Sequence, residues 1–130
     1  MDSDSSSRDR KGGILYVVAT PIGNLEDITL RALRILKEVD LIVAENGTHT
    51  RRLCVHYGIK TKIATYNQHS RKSKTERLVE QLETGMKMAL VSDAGTPGIS
   101  DPGITLISGA IEKQIQITPI PGPSAAVASL

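Results

Sequence analysis

Residues 14–20 read ILYVVAT, a run with no charged side chain and no polar face. A strand apolar on both faces must be covered on both faces. Such strands belong to parallel sheets sandwiched between helices, not to antiparallel sheets with one wet side. Four more short runs follow: DLIVAE (40–45), KIATY (62–66), KMALVS (87–92) and QITPI (116–120). Between them the apolar residues recur at helical spacing. Ile28, Ala32, Leu33, Ile35, Leu36 and Val39 form one stripe, with Asp27 as its N-cap. Thr48 to Tyr57 form a second helix, closed by Gly58. Leu78, Val79 and Leu82 follow Ser73 and Glu76, which have capping-box spacing, and Gly85 stops that helix. Ile104, Ile107 and Ile111 repeat on one face behind Asp101 as N-cap and Pro102 at the first helical position. Another helix opens at Pro121-Gly122-Pro123-Ser124. The alternation predicts an α/β fold: a five-stranded, mostly parallel sheet with helices on both faces and right-handed crossovers.

A chain of 130 residues is long enough to bury a real core. Phe and Trp are absent, so that core is built from Leu, Ile, Val and Ala. Cys54 is the single cysteine, so no disulfide framework forms within the chain, which fits a reducing, cytosolic setting. It reads as a small core residue rather than a nucleophile. His49, His56 and His69 show no metal-ligand spacing with Cys54 or with acids, and no metal is expected. No apolar run is long enough to span a bilayer. Residues 1–12 are polar and Ser-rich and read as a disordered leader, with residues 13–130 as one α/β domain. The final helical pattern starts and stops within about two turns. The expectation is that a second domain follows.

Three strands end in unusual segments. The first runs into TPIGNLED (20–27), the fourth into VSDAGTPGISDPG (91–103) and the fifth into PIPGPSA (119–125). An ordinary strand-to-helix turn needs two to six residues and one Gly or Pro. The second of these segments holds two acids, three glycines and two prolines. In a parallel sheet all three gather at the carboxyl edge, where α/β proteins bind ligands. Glycine lets backbone approach a ligand closely, and the helix opened at Gly122 to Ala125 offers free N–H groups. Neither G-x-G-x-x-G nor G-x-x-x-x-G-K-[ST] is present, which argues against a dinucleotide-binding Rossmann domain and a P-loop NTPase. Asp93 lies just past its strand with no capping role and is a ligand candidate. Glu45 closes the second strand on the same edge and is a candidate catalytic carboxylate.

Charge is unevenly spread. The chain totals +2, but eight of its sixteen Lys and Arg lie between Arg51 and Arg77, opposed only by Glu76. A phosphate-tracking patch for nucleic acid fits this run, which otherwise is a solvated basic face. Arg51, Arg52, Arg71, Lys72 and Lys74 are its candidate RNA contacts. Tyr66, Asn67, Gln68, His69 and Ser70 would then hydrogen-bond or stack on unpaired bases.

The segments LYVVATPIGNLEDITLRALRILKEVDLI, ALVSDAGTPGISDPG and PIPGPSA, in this order, resemble the tetrapyrrole-methylase class of S-adenosylmethionine (SAM) methyltransferases. The nearer likeness is to its bacterial branch that methylates the 2'-hydroxyl of a cytidine ribose in 16S rRNA. The likeness covers residues 13 to 130. It implies two α/β domains with SAM in the cleft between them, of which this chain holds the first, and a homodimer acting on the small ribosomal subunit. By position it implies SAM contacts from Pro21 and Gly23, from Asp93, Ala94, Gly95, Thr96, Ile99 and Ser100, and from Ser124 and Ala125. One loop departs from the branch. Where its members read Ala-Glu-Asp-Thr-Arg-His-Thr, this chain reads AENGTHT (44–50), lacking one acid and one arginine. Two other readings stand beside this one. The first is a methyltransferase of the same fold acting on a small, tetrapyrrole-like molecule, against which the basic run argues. The second is a non-catalytic RNA-binding or dimerising domain, which the AENGTHT loop favours.

Overall fold

A computed structural model of the protein describes residues 12–20, 25–45, 47–66, 72–93 and 101–121. Five strands, β1 (Ile14–Thr20), β2 (Leu41–Ala44), β3 (Ile63–Thr65), β4 (Lys87–Asp93) and β5 (Gln116–Ile120), form one sheet in the order β3-β2-β4-β1-β5. Every pairing is parallel, so the expected fold class holds. Four helices, α1 (Leu30–Glu38), α2 (Gly47–His56), α3 (Lys72–Glu83) and α4 (Asp101–Glu112), lie between the strands, and a 3-10 turn, Leu25–Asp27, precedes α1. No helix among the described residues is long and apolar enough to cross a membrane.

The apolar runs are continuous because each strand feeds two cores. Val18, Ile42, Ala89 and Val91 pack with Ala32, Ile35 and Leu36 of α1 and with Leu53 and Cys54 of α2. Leu15, Leu41, Val43, Met88 and Leu90 point the other way and pack with Leu78, Val79 and Leu82 of α3 and with Leu106 and Ala110 of α4. The strand period of two thus splits the sheet's side chains cleanly between faces. Leu15, Leu36, Leu53, Leu82 and Leu106 are fully buried. Each such side chain contributes about 1.5–3 kcal/mol relative to exposure.

Three helices end alike. Beyond α2, α3 and α4 the backbone turns left-handed at Gly58 (φ 67°), Gly85 (φ 106°) and Gln114 (φ 62°). In each case the following N–H reaches back five residues: Ile59 to Cys54 O at 2.8 Å, Met86 to Gln81 O at 3.3 Å and Ile115 to Ala110 O at 2.9 Å. The left-handed residue itself bonds three back, to Val55, Leu82 and Ile111. This is the Schellman motif, and its apolar follower is buried at Ile59 and Ile115.

Several sequence expectations shift here. Thr29, not Asp27, caps α1: its Oγ1 accepts from Ala32 N at 3.1 Å, while Asp27 belongs to the 3-10 turn. Ile28 and Leu33 flank this cap in the same core cluster, a hydrophobic staple that fixes the entry angle. Ser73 lies inside α3, so it forms no capping box with Glu76. Asp40 stands outside β2. Its N–H donates to Lys87 O at 2.8 Å and its carboxylate accepts from Lys87 N at 2.9 Å, closing the start of the ladder. On α4 the buried residues are Gly103, Leu106 and Ala110, one position from the expected stripe, and Ile104 and Ile111 are 50% and 59% exposed. Small residues win that face because the helix packs close: a Cβ at Gly109 would come 3.2 Å from Val79 Cγ2. Gly12, read as the end of the leader, is half-buried beside Ile115 and Leu82.

Two substitutions test these features by urea denaturation. Gln114→Gly relieves a left-handed backbone that costs a side chain roughly 1–2 kcal/mol, partly offset by glycine's unfolded-state entropy, so a net gain of about 0.5–1 kcal/mol is expected. Gly13→Ala would place its Cβ 1.7 Å from Met86 O, a backbone atom that cannot swing aside. A loss on the order of 3 kcal/mol is expected.

Candidate functional site

Parallel pairing in register brings all five strands to a close on one edge. Thr20 stands opposite Asp93, Ala44 opposite Val91 and Thr65, and Ile120 opposite Val18. The three segments singled out in the sequence leave from β4, β1 and β5, which are consecutive in the sheet. β4 holds a special place. The chain leaves β1 and β2, its two neighbours, for helices on one face, whereas it leaves β4 for α4 on the other. Divergence of chain on either side of a strand opens a crevice beyond its carboxyl end, the usual ligand position in open α/β sheets. Asp93 is the last residue of β4.

The predicted site residues fall unevenly on this frame. The side chains of Asp93 and Lys72 lie outside the described residues, as do Pro21, Gly23, Asn46, Arg71, Ala94, Gly95, Thr96, Ile99, Ser100, Ser124 and Ala125. Glu45 is described: it is exposed and directly follows β2, on the edge beside the end of β4. Arg51 and Arg52 are exposed on α2. Lys74 is half-buried, and its ammonium donates to the carbonyl of Thr65 at the end of β3.

Tyr66 does not fit the base-stacking role expected of it. It is 1% exposed, and its hydroxyl meets Thr75 Oγ1 at 2.6 Å inside the face that α3 covers. The reason is register. Tyr66 N donates to Ala44 O at 2.8 Å, so the β3 ladder continues one residue and sends the ring to the same face as Ala64. Asn67, Gln68, His69 and Ser70 lie outside the described residues.

A feature absent from the sequence reading lies beside the edge. Leu25, Thr48, Arg51, Arg52, Val55 and His56 line a shallow hollow of about 470 Å³ between the 3-10 turn and α2. Its two walls are tied together, because Tyr57 Oη donates to Leu25 O at 2.7 Å across 32 residues of chain. The ring of His56 meets that of Tyr57 edge to face, 4.7 Å between centroids. Val55, one turn after Arg51 and Arg52, is 76% exposed.

Cys54 sits deep on the other side of α2, 3% exposed in the core. Burial disfavours the thiolate and pushes the thiol's pKa above its ordinary value of 9.0. It is a packing residue.

The sequence model of the tetrapyrrole (corrin/porphyrin) methylases matches residues 14–130. Ribosomal RNA small subunit methyltransferase I of Halalkalibacterium halodurans is 52% identical over 123 residues, which is 95% of this chain and 42% of that protein. The protein of the same name from Leptospira biflexa is 52% identical over 122 residues, 93% of this chain and 50% of its own length. That from Escherichia coli O157:H7 is 48% identical over 124 residues, 95% and 43%. The chain therefore spans about half the length, or somewhat less, of the curated relatives it matches. Among solved structures, a uroporphyrin-III C-methyltransferase from Thermus thermophilus aligns with a TM-score of 0.65 at 20% identity, over 91% of this chain and 53% of that one. A cobalt precorrin-4 methyltransferase aligns with a TM-score of 0.69 at 14% identity, over 89% and 48%. A second T. thermophilus uroporphyrin-III C-methyltransferase structure, TM-score 0.64 at 18% identity over 90% and 48%, holds S-adenosylhomocysteine. These structural likenesses show the fold.

The raised thiol pKa has a stability consequence. The folded state holds its proton more tightly than the unfolded state, so the contribution is complete below pH 9.0 and is lost as pH rises through the folded value. Unfolding free energy is expected to fall more steeply above pH 9.0 in the parent than in Cys54→Ala, measured by urea melts on either side of that pH.

Proposed function

Since the chain belongs to the tetrapyrrole (corrin/porphyrin) methylase family, we propose that it forms the amino-terminal α/β half of a SAM-dependent rRNA methyltransferase. On this reading the enzyme methylates the 2'-hydroxyl of a cytidine ribose in 16S rRNA, on the small ribosomal subunit and as a homodimer in the cytoplasm. The observation that carries the reading is identity near 50% across more than nine-tenths of the chain to proteins named ribosomal RNA small subunit methyltransferase I. The basic run Arg51–Arg77 supports RNA over a small-molecule acceptor.

The strand edge fits SAM on physical grounds. β4, β1 and β5 are adjacent and each runs into a glycine- and proline-rich segment, a composition that suits backbone N–H and C=O contacts to a polar, zwitterionic ligand. The residues that would hold it are Pro21 and Gly23, then Asp93, Ala94, Gly95, Thr96, Ile99 and Ser100, then Ser124 and Ala125. Bound SAM supplies an electrophilic methyl group on a sulfonium, whose sulfur leaves neutral and needs no acid and no metal. What the chain adds is positioning, which alone supplies several kcal/mol of barrier lowering when reactants are held in line. Glu45, exposed directly after β2, is this half's candidate base for the hydroxyl proton. Arg51, Arg52, Arg71, Lys72 and Lys74 contribute cations for the RNA backbone.

Calorimetry with SAM and transfer of a labelled methyl group by the full-length protein test this. Label is expected in 16S rRNA of isolated small subunits, at a ribose, and not in a corrinoid precursor. Asp93→Asn removes a charge-assisted contact and is expected to raise the Kd for SAM about tenfold. Label entering the corrinoid instead of rRNA would overturn the assignment, and so would the absence of any heat of SAM binding.

A further inference from the structure

The hollow between the 3-10 turn and α2 has an apolar floor, a ring and a cationic rim. Leu25 and Val55 supply the floor, His56 the ring, and Arg51 and Arg52 the rim. From Asn46 to Thr75 the sequence contains no acidic residue, so the α2 wall itself carries only cations. The acids of the opposite wall, Glu26 and Asp27, are exposed in the 3-10 turn. They disfavour a phosphate on that side and leave the α2 side for the backbone. The wall separation is set beforehand by the bond from Tyr57 to Leu25, so little ordering remains for a ligand to bring about. The hollow also adjoins the carboxyl edge, since Leu25 follows the exit of β1 and Thr48 the exit of β2.

We propose that this hollow takes one unpaired, splayed-out nucleotide of the RNA, its base lying on Val55, Leu25 and the His56 ring and its phosphates on Arg51 and Arg52. The inference rests on the rRNA reading above and deepens it. It assigns to α2 a base-holding site distinct from the cofactor edge, and makes the substrate strand single-stranded where it crosses α2. Apolar side chains and a ring hold a base by its face, which every base presents, so the site is tolerant of sequence. The two arginines act through charge and through their planar forks.

Two oligoribonucleotides of equal length and equal phosphate number separate base from backbone. One is a mixed-sequence single strand, and the other carries abasic riboses at alternate positions. Anisotropy titration of the full-length protein is expected to show the complete strand bound at least about fivefold more tightly. Val55→Ser and His56→Ala change no phosphate contact, and Val55 is too exposed for its loss to unfold the chain. Both are expected to shrink the preference while leaving the salt dependence as it was. Arg51→Gln with Arg52→Gln is expected to weaken both strands alike and to flatten the log–log salt slope by roughly 1.4 for two contacts. A preference that survives both Val55→Ser and His56→Ala overturns the base site and leaves the rRNA reading standing. Failure of both strands to bind overturns the two together. If Val55→Ser instead abolishes self-association and the preference is unchanged, the hollow belongs to a second copy of the chain and the proposal fails.

Discussion

The structure depends on β1 being paired on both sides and buried on both faces. β1 runs parallel to β4 along seven register pairs and to β5 along five. A slip of one residue would send Leu15 to the face of Val18 and reverse every neighbour, so two filled cores fix the register. Parallel pairing in that register has one unavoidable result. Among the described residues, the five strands deliver their chain to the same edge, and the four helices start there and run back. Neither the ligand edge nor the positive ends of the helix dipoles are separate designs; both follow from how β1 pairs.

That constraint also explains which parts of the fold were legible. The central strands were found because burial on two faces leaves few polar positions in the run, whereas the edge strands β3 and β5 carry Thr65, Gln116 and Thr118. Helix boundaries were less legible because capping and stripe signals repeat with nearly the same spacing one residue away. Asp27 and Thr29 are both acceptable caps by type, and packing of Ile28 and Leu33 against the sheet chose Thr29. On α4 the rows 104-107-111 and 103-106-110 have the same period. Close packing against α3 selected the row with Gly103 and Ala110, and left Ile104 and Ile111 half in water. Sequence spacing states that a helix has a face, and the partner decides which.

The candidate site divides along similar lines. What was legible is the edge: parallel strands end together, and the three strands that run into glycine- and proline-rich segments are adjacent. Tyr66 was misread because its polar followers suggest a loop, whereas alternation from Ala64 already placed it in the core. The hollow on α2 was invisible for a different reason. It needs Leu25 and Val55, 30 positions apart, and a single hydrogen bond from Tyr57 to bring their elements together. No local pattern encodes a contact of that kind.

Charge placement adds an argument that fold stability alone does not supply. Neither α2 nor α3 has an acid in its first turn, and α3 has no base in its last. Along α3 the ends are reversed from the stabilising order: Lys72 and Lys74 stand in the first turn and Glu80 and Glu83 in the last, with Glu76 and Arg77 between them. Against the helix dipole such an arrangement forfeits roughly 0.3–1 kcal/mol per misplaced charge. Lys74 recovers part of this through its bond to the carbonyl of Thr65, and the remaining charges break a local rule, as residues under another demand do. Here the demand has a direction. The starts of α2 and α3 lie at the carboxyl edge, so their dipoles and the cations beside them act on the same side. A small neutral acceptor gains nothing from that field, whereas a strand carrying a phosphate at every residue is drawn to it and held across it. The stability given up along α3 is thus of the same kind as the cations along α2, and both favour a polyanion at this edge.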